Sequence, residues 1–247
     1  MSFTIYPAID IRGGKCVRLK QGDYGQETVY GDDPVQIAEQ FIEAGAEWIH
    51  VVDLDAARSG ELVNLPVIER LVKHSSIPIQ VGGGVRNLER LQRLLDLGVS
   101  RVVVGSAAID DPQFVREALQ KHGQQMALGL DARDGYVATH GWLKTSQVKA
   151  EDLARELVSY GAETFIFTDI ARDGMLSGVH VEAVVSLAQA TGKQVIASGG
   201  VRELADVERL LQVSDQGVAG VIIGKAIYTK NLPLAAAIEM AKEVKRA

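Results

Sequence analysis

The sequence predicts an α/β fold in the form of one (β/α)8 TIM barrel over residues 1–247, built from two duplicated half-barrels. Three observations predict it. Short apolar runs, several rich in β-branched residues, alternate eight times with amphipathic helical patterns, which implies parallel strands joined by right-handed crossovers. The second half repeats the first: Gly82-Gly83-Gly84-Val85-Arg86 returns 116 residues later as Ser198-Gly199-Gly200-Val201-Arg202, and 8 of the 14 positions that start there are identical. No linker or low-complexity segment divides the chain, and its 47% of hydrophobic residues can fill one large core. An open doubly wound sheet shares the alternation, but two matched four-unit halves close on each other by pseudo-symmetry, which favours the barrel.

The elements follow in order. A strand pattern at 3–9 ends in Pro7-Ala8-Ile9-Asp10 and opens a long loop, about residues 13–32, before the helix at 33–44 that starts on Asp33-Pro34 and stops at Gly45. A strand at 48–52 passes through Asp53 towards a helix at 64–73. The strand at 77–81 runs into the first glycine motif, and Asn87 opens a helix at 87–97 closed by Gly98. The strand at 101–104 ends in Gly105-Ser106; Asp111-Pro112 starts the helix at 111–121, with Gly123 beyond its end. The fifth strand, 126–130, ends at Asp131, and a loop of about seventeen residues precedes the helix at 149–160 and Gly161. The sixth, 163–168, ends in Thr168-Asp169; a glycine-rich loop at 172–178 leads to the helix at 180–191 and Gly192. Strands at 194–197 and 219–223 run into the second glycine motif and Gly224-Lys225, each followed by a helix, at 203–213 and 232–245. The loops at 13–32 and 172–178 read as mobile lids.

Composition narrows the function. A net charge of −6 argues against a nucleic-acid or membrane-surface partner, and the single cysteine, Cys16, against an internal disulfide. The first residues carry no signal-peptide pattern, and no apolar run is long enough to span a bilayer. A cytoplasmic, monomeric enzyme of small molecules is the expectation.

In such barrels the chemistry sits at the C-terminal ends of the strands. Asp10 and Asp131 end the first and fifth strands, in equivalent places of the two halves. Each is followed by a long loop, so neither stands where it would cap a helix. Asp53 and Asp169, related by the same repeat, read as structural or supporting groups. A glycine pair alone is the default of any tight turn. Doubled, and matched to the ends of the next strands, the glycines predict two anion cradles: Gly83, Gly84, Gly105 and Ser106 in one half, Gly199, Gly200, Gly224 and Lys225 in the other. Lys225 could equally be a solvated rim charge. A ligand with a phosphate at each end follows. Trp142 either stacks on a planar heterocycle or packs its loop down, and His50, inside a strand, reads as a structural histidine. No cluster has metal-ligand spacing and no dinucleotide fingerprint occurs, so no metal and no cofactor are expected, and two carboxylates suit one acid and one base.

The wording around these residues resembles one family over essentially the whole chain. Pro7-Ala8-Ile9-Asp10, the run from Gly14 to Tyr24, the run from Trp48 to Ala56 and both Gly-Gly-Val motifs are similar to the phosphoribosylformimino-aminoimidazole carboxamide ribotide isomerases of histidine biosynthesis. The resemblance implies an Amadori rearrangement of an aminoaldose ribotide to its aminoketose, without metal or cofactor. It implies Asp131 as the general acid that opens the ribose ring to a Schiff base, and Asp10 as the base that removes the C2′ proton to give an enolamine. It further implies Arg18, Trp142, Thr168 and Asp173 as substrate contacts. The sister barrel that couples to a glutaminase shares both aspartates, but its first-strand wording differs and no charged gate at the barrel floor is evident here. Phosphoribosylanthranilate isomerase uses a cysteine where this chain has Asp10. A dual enzyme would carry arginine where this chain has His140, and a non-catalytic bisphosphate-binding regulator would need the cradles without both carboxylates.

Overall fold

A computed structural model describes residues 3–139, 142 and 144–246. His140 lies outside them. The first half runs β1 (Thr4–Arg12), β2 (Lys15–Lys20), β3 (Asp23–Gly31), α1 (Pro34–Glu43), β4 (Ile49–Asp53), α2 (Leu54–Ser59), α3 (Leu65–His74), β5 (Ile79–Gly82), α4 (Leu88–Asp96), β6 (Arg101–Val104), α5 (Ala107–Asp110) and α6 (Pro112–His122). The second runs β7 (Met126–Arg133), β8 (Tyr136–Thr139), β9 (Lys144–Lys149), α7 (Ala150–Ser159), β10 (Thr164–Asp169), α8 (Val181–Thr191), β11 (Gln194–Ser198), α9 (Leu204–Leu211), β12 (Val218–Ile223), α10 (Lys225–Tyr228) and α11 (Leu234–Arg246).

Strands β1, β4, β5, β6, β7, β10, β11 and β12 pair in parallel in that order, and β12 returns to β1. The sheet is a closed (β/α)8 barrel, as the duplication predicts. The start signals act as capping groups: the side chains of Asp33, Asn87 and Asp111 accept from the backbone N–H groups of Val35, Arg90 and Phe114. Gly45, Gly98, Gly161 and Gly192 take the left-handed conformation expected at helix ends, whereas Gly123 has φ −50 and begins a 3-10 turn.

Two departures bear on function. The two longest loops are not bare. β2 and β3 form an antiparallel hairpin continuing β1, and β8 and β9 form one continuing β7, so the repeat extends to the rim. The loop at 13–32, read as a lid, is therefore mostly an antiparallel ribbon.

The core has two layers. Helices pack on the outer face of the sheet, where Leu91 and Leu94 of α4 and their repeat partners Val207 and Leu210 of α9 are at most 1% exposed. Each such side chain contributes roughly 1.5–3 kcal/mol of burial. Inside the barrel lie Tyr6, Ala8, Ala127, Ile166, Ile196 and Ile222. The floor is closed by Arg101, whose guanidinium lies 4.6 Å from the Trp48 ring and 5.6 Å from that of Tyr6. The floor does hold a charged residue, then, which the sequence reading did not find.

Candidate active site

A cavity of about 260 Å³ opens at the C-terminal ends of the strands, and every site residue expected from the sequence lines it. Asp10 and Asp131 enter from β1 and β7, four strands apart in a ring of eight. Asp10 pairs in register with Val17, which brings Arg18 of β2 alongside: Arg18 Nη1 lies 2.9 Å from Asp10 Oδ2. Both side chains are nearly out of solvent. The Asp10 carboxyl is raised to about 6, first by burial and then by the neighbouring Asp173 carboxyl, against the pull of Arg18.

Asp131 is held differently. Its Oδ2 accepts a 2.7 Å hydrogen bond from the Trp142 indole N–H, and the hydroxyl of Thr168, its register partner on β10, also bonds it. Burial raises its pKa, both hydrogen bonds oppose that, and Asp173 adds to the rise. Asp173 itself is raised by burial against the pull of Arg18 and Lys225. Three buried carboxyls thus share one field, with Arg18 and Lys225 as its cations. Lys225 is no loose rim charge: its ammonium donates to the Gly174 carbonyl at 2.8 Å.

The glycine motifs are matched to the atom. A Cβ on Gly83 would run into the Asp53 carbonyl oxygen, and one on Gly199 would come within 3.0 Å of that of Asp169. Both glycines, with Gly84 and Gly200, have positive φ. Their first role is therefore to let each turn lie flat on the preceding loop. The aspartates beneath are the structural groups expected: Asp53 caps α2 and accepts from Asn64, and Asp169 accepts from Ala171 N–H and faces His180. Gly105 and Gly224 are different, with φ outside the left-handed region; the nearest atoms to a Cβ on Gly224 are those of the Arg18 guanidinium. Arg18 therefore spans from Asp10 to the second cradle.

Three loops meet over the cavity. A Cβ on Gly22, between β2 and β3, would stand 2.7 Å from Trp142, and Gln21 donates to the Ala171 carbonyl. Gln21, Trp142 and Leu176, all in these loops, hold positive φ of 48, 72 and 54. Strained backbone of this kind persists only where neighbouring contacts impose it. Trp142 thus does something neither reading expected: its indole N–H holds the Asp131 carboxyl.

Among the lining residues that sequence reasoning missed are the polar side chains of Tyr24, His50, Arg86 and Ser198. His50 has the bonded role expected of it, with Nδ1 at 2.8 Å from Gln80 Nε2, but its ring also faces the cavity. The signal was parity: on β4, His50 shares a face with the lining residue Val52 and sits opposite Ala8, which points inward. Among the described residues no group of three or more His, Cys, Asp or Glu could hold a metal ion, and no helix is long and apolar enough to cross a membrane.

Fold and cavity define a class: a (β/α)8 barrel with its ionisable groups gathered at the C-terminal mouth. The family model described as "Histidine biosynthesis protein" matches residues 4–233, and the chain belongs to that family. A relative from Geobacillus kaustophilus is 58% identical over 242 residues, 98% of this chain and 99% of that protein. One from Bacillus subtilis is 52% identical over 241 residues, 98% of each. Both are named 1-(5-phosphoribosyl)-5-((5-phosphoribosylamino)methylideneamino) imidazole-4-carboxamide isomerase.

Proposed function

We infer that this chain is a histidine-biosynthesis isomerase, an aldose–ketose isomerase that converts the bisphosphorylated aminoaldose named in its relatives to the aminoketose by an Amadori rearrangement. The observation that carries this is identity of 58% over 98% of the chain to a protein of that name. The geometry supports a mechanism made of proton transfers. Burial raises the Asp131 carboxyl's pKa, the direction a proton donor needs, so Asp131 is assigned as the acid that protonates the ribose ring oxygen as the ring opens to a Schiff base. Asp10, with a pKa of about 6, is ionised at neutral pH yet basic enough to take the C2′ proton and leave an enolamine. Tautomerisation gives the ketone, and no atom is gained or lost. Arg18, Trp142, Thr168 and Asp173 are assigned to hold the substrate, with one phosphate on Gly83, Gly84, Gly105 and Ser106 and the other on Gly199, Gly200, Gly224 and Lys225.

Asp173 has an observation in favour of a larger part. It is buried in the same cavity, its own pKa is raised, and it raises those of both other aspartates, so it is a second carboxyl able to act as the acid. Asp173→Asn beside Asp131→Asn decides which proton donor limits turnover.

The reading takes residues 1–247 as one catalytic domain that works as a cytoplasmic monomer without metal or cofactor. Its test is an isomerase assay of the purified chain alone, with chelator and without ammonia or a glutaminase. Conversion of substrate to aminoketose is the expected result. Ligand bound without conversion would return the chain to a binding protein, and conversion lost to chelation but restored by a divalent ion would overturn the proton-transfer mechanism.

A further inference from the structure

A row of polar side chains runs through the barrel from floor to cavity, and strand register puts it there. Ala8, His50, Gln80 and Arg101 are successive partners across β1, β4, β5 and β6. All three polar members are at most 9% exposed, and none belongs to the site expected from the sequence. Arg101 makes two bonds to one atom: its Nε and Nη2 donate to Gln80 Oε1 at 2.9 and 2.6 Å. Nη2 also donates to the Tyr6 hydroxyl at 3.1 Å. A guanidinium has donors only, so the Gln80 oxygen must face Arg101 and the amide nitrogen must face His50. That NH2 is itself only a donor. His50 Nδ1, 2.8 Å away, must therefore be the acceptor, and a neutral ring then carries its proton on Nε2. The ring is neutral because burial and the charges of Arg18 and Arg101 all oppose a third positive charge, pushing His50 down to about 3. With Nδ1 engaged, Nε2–H is the ring's remaining polar group, on a residue that lines the cavity.

We propose that Gln80 and Arg101 are positioning residues that fix His50 as its Nε2–H tautomer, so that the base of the cavity offers the substrate a neutral N–H donor. The proposal rests on the isomerase reading and deepens it. The other tautomer would aim a lone pair at the same spot, able to accept from a hydroxyl but not to donate to a ring, carbonyl or phosphate oxygen. The register places His50 beside Ala8, two residues below Asp10 on the same face of the neighbouring strand, so the donor lies just under the level at which the base works. An uncharged donor can bond a ribose oxygen there without competing with Asp10 and Asp131 for protons.

Nitrogen-15 NMR of the ring nitrogens reads the tautomer directly. The chain has 5 histidines, and the His50 signals are those lost in His50→Gln. In the unaltered protein at pH 7 the expected signals are a protonated Nε2 and an unprotonated Nδ1. Gln80→Leu removes the amide donor, and should populate the Nδ1–H form and lower kcat about tenfold while moving KM much less. Arg101→Met should do the same by freeing the amide to turn over, and Arg101→Lys, which keeps a donor-only cation, should recover both tautomer and kcat towards the parent. A parent ring protonated on Nδ1, or on both nitrogens, overturns the proposal. So does a loss of kcat in Gln80→Leu with the tautomer unchanged, which is the mark of a merely structural role, or a changed tautomer with kcat intact. These outcomes are separate from the parent reading: an Nε2–H ring in a chain that converts no substrate overturns the isomerase assignment and the donor's role with it, whereas an Nδ1–H ring in an active chain overturns this proposal alone.

Discussion

Asp10 and Asp131 have the same residue type, the same place in their half-barrels and different surroundings. Asp10 faces a guanidinium; Asp131 faces an indole N–H and a hydroxyl. Of these bonded partners only the guanidinium carries charge, and in the proposed mechanism that asymmetry is what separates the roles assigned to two equivalent positions. Losing a positioned acid or base typically costs about a hundred- to ten-thousand-fold in rate. Asp10→Asn and Asp131→Asn should therefore lose that much turnover while substrate affinity, measured by calorimetry, stays near the parent's; a variant that keeps more than about a tenth of the parent turnover has been given the wrong role. The pH profile tests Asp10 separately. As a base it works only when ionised, so kcat/KM should rise with pH through about 6 and level off above it. Arg18 lowers the Asp10 pKa, so removing that charge must let it rise. In Arg18→Gln the acid limb should move to higher pH, whatever else is lost in substrate contact; a limb that stays or moves down contradicts the pairing.

Among the elements, the eight barrel strands and the eight helices between them were legible, most of their ends within two residues. Each buries one face or both and so carries a period. The two hairpins were not legible, and the reason is physical. Strand β3, Asp-Tyr-Gly-Gln-Glu-Thr-Val-Tyr-Gly, and strand β9, Lys-Thr-Ser-Gln-Val-Lys, have no buried residue, so no alternation marks them. The helices α2, α5 and α10, of 6, 4 and 4 residues, are too short to show a helical repeat. The glycine motifs were found, and the structure adds a backbone reason for them that the expectation of anion cradles did not include. Gly84 has φ +68 and no room for a Cβ beside the Ala56 carbonyl, whereas Gly105 has ordinary φ and 3.8 Å of clearance to the nearest backbone oxygen. Gly84→Val should thus destabilise the fold by about 2 kcal/mol or more, read by thermal or urea denaturation. Gly105→Val should leave the melting temperature nearly unchanged and weaken substrate binding about tenfold by crowding the cradle alone. Equal stability loss in both variants would mean that Gly105 is there for the backbone as well.

At the scale of the whole molecule, the duplication is the organising fact. Both halves supply a carboxylate at the end of a first strand, a hairpin after it, an aspartate that anchors the second loop, and a glycine turn lying on that aspartate's carbonyl. Asp10, Asp131 and the glycine-motif residues that line the cavity could be read from sequence because each half supplies its own copy. His50, Gln80 and Arg101 could not. Their association depends on strand register and barrel closure, which bring together residues 30 and 21 apart that no local pattern links. A ligand that fits such a molecule should share its approximate symmetry, with an anionic group at each end and the reacting carbons between the two aspartates. The most direct measurement is a crystal structure of the chain with an unreactive two-phosphate analogue of the substrate. The expected result is one phosphate on the Gly84 and Gly105 side, the other on the Gly200 and Gly224 side, and the C2′ carbon within reach of Asp10. A phosphate bound elsewhere, or one cradle empty at saturating ligand, would contradict it.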